Sequence, residues 1–343
     1  MSLILDIEKK AGDFRLKVDL ECTNEVFALL GASGCGKSMT LKCIAGIMKP
    51  DRGRIVVDDR VLFDSEKGIS MPARKRRAGL LFQNYALFPN MTVAQNIETG
   101  TRRDGGKDPE AVAKMMERFS LSEVANLFPS QLSGGQQQRT ALARILISKP
   151  DILLLDEPFS ALDSHLRFRM EEEVRSIIRS FGKTVILVSH NRDEVFRLSD
   201  RMAILKDGKA DRTGTKEEVF RDPQTMNAAV LTGCKNVSPI RRIDEHVIEA
   251  TDWGLRFRAD KIPEDAKYVG LRMHYIYPGG GENEARCEVV EEIENPFSYT
   301  LMLKSSSCSK PFGFEIGKEQ WNRIRKEEIT IHIPQTSLHF LYR

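Results

Sequence analysis

The sequence predicts an α/β fold with a mixed sheet core and an inserted helical subdomain, followed by a small all-β, barrel-like domain. Three observations carry that prediction. An apolar run, Val26 to Leu30, leads through a glycine-rich loop, Gly31 to Ser38, into a helical pattern from Met39 to Ala45. Two further runs, Ile152 to Leu155 and Thr184 to Val188, are apolar almost throughout, as expected of short strands buried on both faces of a parallel sheet. Beyond Gly233 the pattern changes to short alternating runs, such as Val247 to Ala250 and Tyr299 to Leu303, split by turn formers such as Pro278-Gly279-Gly280-Gly281. The chain has 343 residues, 41% of them hydrophobic, ample for a large core and in keeping with two domains. The expected division is 1–222 for the first domain, with its helical subdomain at about 85–150, then a linker at 223–235 and a β-rich domain at 236–343.

The glycine loop reads Gly31-Ala32-Ser33-Gly34-Cys35-Gly36-Lys37-Ser38. It fits G-x-x-x-x-G-K-[ST], the loop that cradles the phosphates of a nucleoside triphosphate. Glycines let the backbone turn back so that N–H groups point inward at phosphate oxygens. Lys37 brings a compact positive charge to the β- and γ-phosphates. Ser38 offers a hydroxyl to Mg²⁺ and opens a helix whose positive end faces the same anion. The candidate nucleotide residues here are Gly31, Ser33, Gly34, Cys35, Gly36, Lys37, Ser38 and Met39. A strand before the loop and a helix after it is the context that separates this motif from a chance glycine-rich turn.

The run Ile152 to Leu155 ends in Asp156-Glu157. Asp156 at a strand end can hold Mg²⁺ through water, and Glu157 is placed to orient or deprotonate an attacking water. The metal candidates are thus Ser38, Asp156 and, from the resemblance below, Gln83. The next strand ends at Ser189-His190; an isolated histidine there is most often a satisfied polar residue. Between these elements lies Leu132-Ser133-Gly134-Gly135-Gln136. Ser133 is a good helix N-cap, and the residues from Gln136 to Ile147 form an amphipathic helix after it. A capped helix with a glycine turn is the plain reading. The positive end of such a helix, with glycine N–H groups and a serine hydroxyl, is also a second phosphate site.

Taken together and in this order, the phosphate loop, LSGGQ and the Asp156-Glu157 strand resemble the ATP-binding cassette family over about two-thirds of the chain. The resemblance implies a P-loop ATPase using ATP and Mg²⁺, with catalytic roles for Lys37, Gln83, Glu157 and His190. His190 would sense the γ-phosphate. Gln83, followed by Asn84-Tyr85-Ala86-Leu87-Phe88-Pro89, resembles the glutamine loop that touches Mg²⁺ and water and swings with the helical subdomain. Ser133, Gly134, Gly135 and Gln136 would serve the nucleotide of a second copy, in a head-to-tail dimer around two ATP molecules. Ser160-Ala161-Leu162-Asp163 resembles the loop that crosses between the two subunits. An aromatic residue usually stacks on adenine. Phe14 is the candidate, and it equally fits a core residue at the start of a strand.

The C-terminal runs resemble the oligomer-binding-type regulatory domain that follows the ATPase in a subset of importers. Asp64 to Gln83, Gly233 to Ser238 and Asn295 to Thr300 look like the molybdate importer branch. Sulfate, iron(III), polyamine and sugar importers share the architecture. At the place where oxyanion-binding domains carry a serine-containing element, this chain reads Glu282-Asn283-Glu284-Ala285-Arg286. Two carboxylates there would repel an anion. The implied partners are a second copy, integral-membrane permease subunits and an extracytoplasmic substrate-binding protein.

The remaining composition agrees with that assignment. Net charge is +3, and no basic stripe interleaved with aromatics is visible, so nucleic acid is not an expected partner. The run Arg74-Lys75-Arg76-Arg77 reads as a solvated loop. No apolar run is long enough to span a bilayer, and Met1 to Asp6 does not fit a signal peptide. The expected location is the cytoplasmic face of the membrane, held by a partner. The six cysteines show no zinc spacing and read as free thiols, with Cys35 filling a tight loop.

Overall fold

The computed structural model describes residues 2–101, 106, 108–160 and 164–342, the last stretch with backbone alone for 164–166. The chain divides into two compact units, Met1–Lys216 and Glu217–Arg343.

The first unit is built on an eleven-stranded sheet. Its strands are β1 (Ser2–Ala11), β2 (Phe14–Thr23), β3 (Val26–Gly31), β4 (Arg52–Val57), β5 (Arg60–Asp64), β6 (Ile69–Ser70), β7 (Ala78–Leu81), β8 (Ile152–Asp156), β9 (Val185–Ser189), β10 (Arg201–Lys206) and β11 (Lys209–Thr215). Across the sheet they run β6-β5-β4-β1-β2-β11-β10-β3-β9-β8-β7. The five from β10 to β7 are mutually parallel. Gly31, Asp156, Ser189 and Leu81 therefore close their strands at one edge, where open α/β sheets bind ligands. β3, β8 and β9 are buried at every residue, which is why their sequences are apolar throughout rather than alternating. The longer outer strands alternate instead, as β2 does with Leu16, Val18, Leu20 and Cys22 inward.

Among the described residues, seven helices accompany this sheet: α1 (Lys37–Ala45), α2 (Ala73–Arg76), α3 (Val93–Glu98), α4 (Pro109–Arg118), α5 (Gly134–Leu146), α6 (Ser164–Phe181) and α7 (Arg192–Leu198). α3 to α5 form the insertion between β7 and β8. Each has a local start signal. Thr92 and Gln95 make a reciprocal capping box at α3, and Asp108 caps α4 ahead of Pro109.

One part of the basic run at 74–77 is corrected by the structure. Arg76 is 1% exposed rather than solvated. Its Nη1 donates to Cys43 O at 2.7 Å and Ile44 O at 3.0 Å, and its Nε donates to Met71 O at 2.8 Å. The cation thus caps the C-terminal, partially negative end of α1. Removing it would take a charged donor from three carbonyls, leaving Cys43 O with Gly46 N at 3.2 Å. Arg76→Ala should cost about 2–4 kcal/mol, read by denaturant titration of the full chain.

α8 (Lys216–Arg221) spans the division between the units, and α9 (Met226–Leu231) lies within the expected linker. The second unit then holds two five-stranded sheets. The strands are β12 (Asn236–Arg242), β13 (Val247–Ala250), β14 (Leu255–Arg258), β15 (Tyr268–Leu271), β16 (Tyr277–Pro278), β17 (Ala285–Glu294), β18 (Ser298–Lys304), β19 (Phe312–Gly317), β20 (Glu328–His332) and β21 (Leu338–Leu341). Their orders are β14-β13-β12-β15-β21 and β16-β20-β17-β18-β19. The core between them gathers Trp253, Phe257, Phe312, Phe314 and Trp321. This is the barrel-like all-β arrangement the alternating runs predict. A short helix, α10 (Lys318–Ile324), adds Trp321 to that core. Among the described residues, no helix is long and apolar enough to cross a membrane. The six cysteines are free. Burial pushes the Cys22 and Cys287 thiols up to about 12 and those of Cys43 and Cys234 up to about 11, which keeps them inert.

Candidate functional site

The loop from Gly31 to Ser38 folds tightly against its own strand. A Cβ on Gly31 would lie 2.6 Å from both Cys35 Sγ and Leu205 O, so only glycine fits. Cys35 is buried and fills that space, as the sequence suggests. Gly36 has φ +106°, and a Cβ there would meet Leu16 Cδ1 at 2.5 Å and Phe14 Cζ at 3.2 Å. The Phe14 ring thus sits beside the phosphate loop while also packing on the core. Ala32, Ser33 and Gly34 are exposed at the mouth of the loop, and Met39 is half-buried in α1.

Lys37 is 5% exposed. Its Nζ donates to Gly31 O at 2.8 Å and Ala32 O at 2.9 Å. Two neutral carbonyls are weak partners for a buried ammonium, so the loop is electrostatically prepared for an anion. Ser38 Oγ donates to Asp156 Oδ1 at 2.8 Å, joining the start of α1 to the end of β8. Burial holds the Asp156 carboxyl above its usual range; the Ser38 hydrogen bond offsets part of that rise and Glu157 adds to it. A buried carboxylate beside a hydroxyl fits a hard divalent cation.

That raised pKa has a stability consequence. The fold favours the neutral carboxyl, so ionised Asp156 destabilises it once pH rises from the unfolded value through the folded one. Asp156→Asn should therefore raise the Tm of the nucleotide-free protein at about pH 8, and the gap should close below about pH 4. Thermal scans across that range check it.

Glu157 begins the turn after β8 with φ +47°. Its N–H donates to Val188 O at 3.0 Å, and its carbonyl accepts from Ser160 Oγ at 2.9 Å. This ties the turn to the adjacent strand β9 and sets Glu157 Oε2 3.1 Å from His190 Nδ1. His190 lies within a turn braced by Ser189, Asn191 and Glu194. Ser189 Oγ donates to Glu194 Oε2 at 2.6 Å and accepts from Asn191 N at 2.9 Å. Asn191 caps α7 by accepting from Asp193 N and Glu194 N. Asn191 followed by Asp193-Glu194 is a helix-start signature that would have exposed this support.

Gln83 is exposed, two residues past the end of β7, the strand beside β8. Ser133 is exposed at the start of α5. Its Oγ accepts from Gln136 N at 3.3 Å, and Gln136 Oε1 accepts from Ser133 N at 2.9 Å. This reciprocal box leaves the helix end facing outward. Gly134 is half-buried and Gly135 buried; a Cβ on Gly135 would stand 3.2 Å from Met170 Sδ of α6. Asp163 lies outside the described residues.

The structure therefore gathers Lys37, Ser38 and Asp156 at one point, and Glu157 with His190 beside them on the same sheet edge. The LSGGQ turn stands on the inserted subdomain, with its Ser133–Gln136 capping box closed on itself. A family model described as ABC transporter matches residues 15–160. The Fe(3+) ions import ATP-binding protein of Haemophilus influenzae is 37% identical over 72% of this chain and 71% of its own. The chain belongs to the ATP-binding cassette transporter family. The sulfate/thiosulfate import ATP-binding protein of Caulobacter vibrioides is 40% identical over 84% of either chain. The spermidine/putrescine import ATP-binding protein of Vibrio cholerae is 40% identical over 79% of this chain and 70% of its own. A solved ATP-binding cassette, a dimer in a post-hydrolysis state with ADP and Pi, superposes with TM-score 0.53 at 31% identity, covering 63% of this chain and 99% of that one. As a cassette of this family the protein is an ATPase.

Proposed function

We propose that this cassette is the ATP-hydrolysing subunit of an importer for molybdate or a related oxyanion. The observation that carries the ATPase half is the convergence of Lys37, the Ser38–Asp156 pair and the Glu157–His190 pair on one sheet edge. Lys37 exchanges its two carbonyl partners for phosphate oxygens. Ser38 and Asp156 would hold Mg²⁺, which would supply charge stabilisation at the transferred phosphoryl group. Glu157 takes the proton of the attacking water, and His190, anchored through Ser189 and Asn191, fixes the Glu157 carboxylate and meets the γ-phosphate. Gln83 reports nucleotide to the helical subdomain. Phe14, beside Gly36, is the surface offered to the base. Ser133 to Gln136, together with Asp163, serve the nucleotide of a second copy.

The partners that follow are a second cassette, permease subunits that carry the membrane passage, and an extracytoplasmic binding protein. The cassette itself sits peripherally on the cytoplasmic face. The oxyanion half rests on the sequence stretches at 64–83, 233–238 and 295–300 and on the sulfate/thiosulfate relative, which matches the chain through most of its length. Reconstitution with the permease and binding protein tests it. Molybdate or tungstate should stimulate ATP hydrolysis; stimulation by iron(III), a polyamine or a sugar alone would reassign the cargo.

The second unit is proposed not to sense that cargo. Glu282 is committed to the fold, its Oε2 accepting from Gln335 N at 2.9 Å, and Asn283 bonds Arg258 and Ile333 through its amide. With Glu282 and Glu284 both exposed there, an oxyanion meets negative charge. Equilibrium dialysis of the full chain should show no tight molybdate binding.

A further inference from the structure

The glutamine loop is held in a conformation that its own residues do not favour. Tyr85 and Ala86 have φ +58° and +45°. Two successive non-glycine residues in the left-handed region crowd their Cβ atoms against the following carbonyls. What holds them is a side chain from α5. Arg144 Nη1 donates to Ala86 O at 2.8 Å and Nη2 to Tyr85 O at 3.0 Å. The same guanidinium lies over the Phe88 ring, 5.3 Å from its centroid. The far side of the loop is fixed by Asn96, fully buried, which accepts from Phe88 N at 2.9 Å and donates to Phe88 O at 3.2 Å and Met91 O at 3.0 Å.

Gln83 stands two residues before this turn, and Ser133 stands at the other end of α5, about 16 Å along the helix from Arg144. We propose that Arg144 is a positioning residue for ATP hydrolysis: its two-pronged donor pins Tyr85-Ala86 in the left-handed turn and so fixes Gln83 relative to α5. The proposal rests on the reading of Gln83 as a site residue given above. A lysine cannot replace the guanidinium here. Here two separate nitrogens each serve their own carbonyl while the plane lies over Phe88, and a single ammonium on a flexible stem has neither the fork nor a flat face to lay on that ring.

The test uses the full chain and steady-state ATP hydrolysis. Arg144→Lys should lower kcat by about 10-fold or more while KM for ATP stays within about threefold, because the phosphate loop is untouched. Adding Ala86→Gly removes one Cβ from the left-handed turn and should restore at least about half of kcat. Ala86→Val, with Arg144 intact, should reproduce the loss of kcat, and it stands in if Arg144→Lys does not fold. A general loss of fold would lower melting temperature and active fraction together, and glycine would not lift it. Unchanged kcat in Arg144→Lys or in Ala86→Val, or a loss that Ala86→Gly fails to lift, overturns the proposal. Gln83→Ala, run alongside, separates the two levels. Full turnover there overturns the site reading, whereas full turnover in Arg144→Lys beside a crippled Gln83→Ala overturns the clamp alone.

Discussion

Glu157→Gln should slow ATP hydrolysis by roughly 10²–10⁴-fold. The substitution keeps the shape of the side chain and its capacity to hydrogen bond, and removes only basicity. The backbone that carries it is fixed independently, by the N–H bond to Val188 O and by Ser160, so the turn should survive. Lys37, Ser38 and Asp156 are untouched, and ATP affinity should stay within a factor of about three. Single-turnover hydrolysis and equilibrium binding, measured on the same preparation, read the two quantities separately. Normal turnover would remove Glu157 from its role.

Lys37→Ala should do the opposite, by failing at binding. Nζ is buried and held by two backbone carbonyls at the base of the loop. It is the one positively charged side chain of the loop. Charge-assisted hydrogen bonds are worth about 1.5–3 kcal/mol each, so losing two of them should weaken ATP binding by about 100-fold or more. Calorimetry checks it. Near-normal affinity in this variant would mean that the backbone N–H groups alone hold the phosphates.

Much of this site was legible because its chemistry is local in sequence. The phosphate loop is eight consecutive residues, and its flanking strand is apolar because β3 is buried on both faces. Asp156-Glu157 follows β8 for the same reason. The pairing of Glu157 with His190 is different. It depends on the parallel register that sets Asp156 opposite Val188, and nothing local encodes a register. The role of His190 therefore came from resemblance, and the 3.1 Å contact from the fold. Phe14 meeting Gly36 is likewise a tertiary event.

A residue whose surroundings come from distant chain carries no such local signal. Arg76, in a run of four basic residues, looks solvated until the carbonyls at the end of α1 are placed around it. α10 has one buried residue in seven, too few to set a helical period. β12 carries Pro239, and β15 is buried at three consecutive residues, Val269, Gly270 and Leu271, so neither shows the alternation that revealed β13 and β18.

In the proposed dimer ATP joins two copies, with the LSGGQ turn of one on the nucleotide of the other. Its most direct test is light scattering of the Glu157→Gln protein with and without ATP and Mg²⁺. That variant should be a monomer without nucleotide and a dimer with it, because slow hydrolysis lets the closed state accumulate. Ser133 is exposed at the free end of α5, beside half-buried Gly134. Adding Ser133→Arg sets a bulky side chain where the partner's γ-phosphate would dock, and should return the protein to monomer while ATP still binds. An ATP-dependent dimer that forms equally well in the Glu157→Gln, Ser133→Arg double variant would contradict the account.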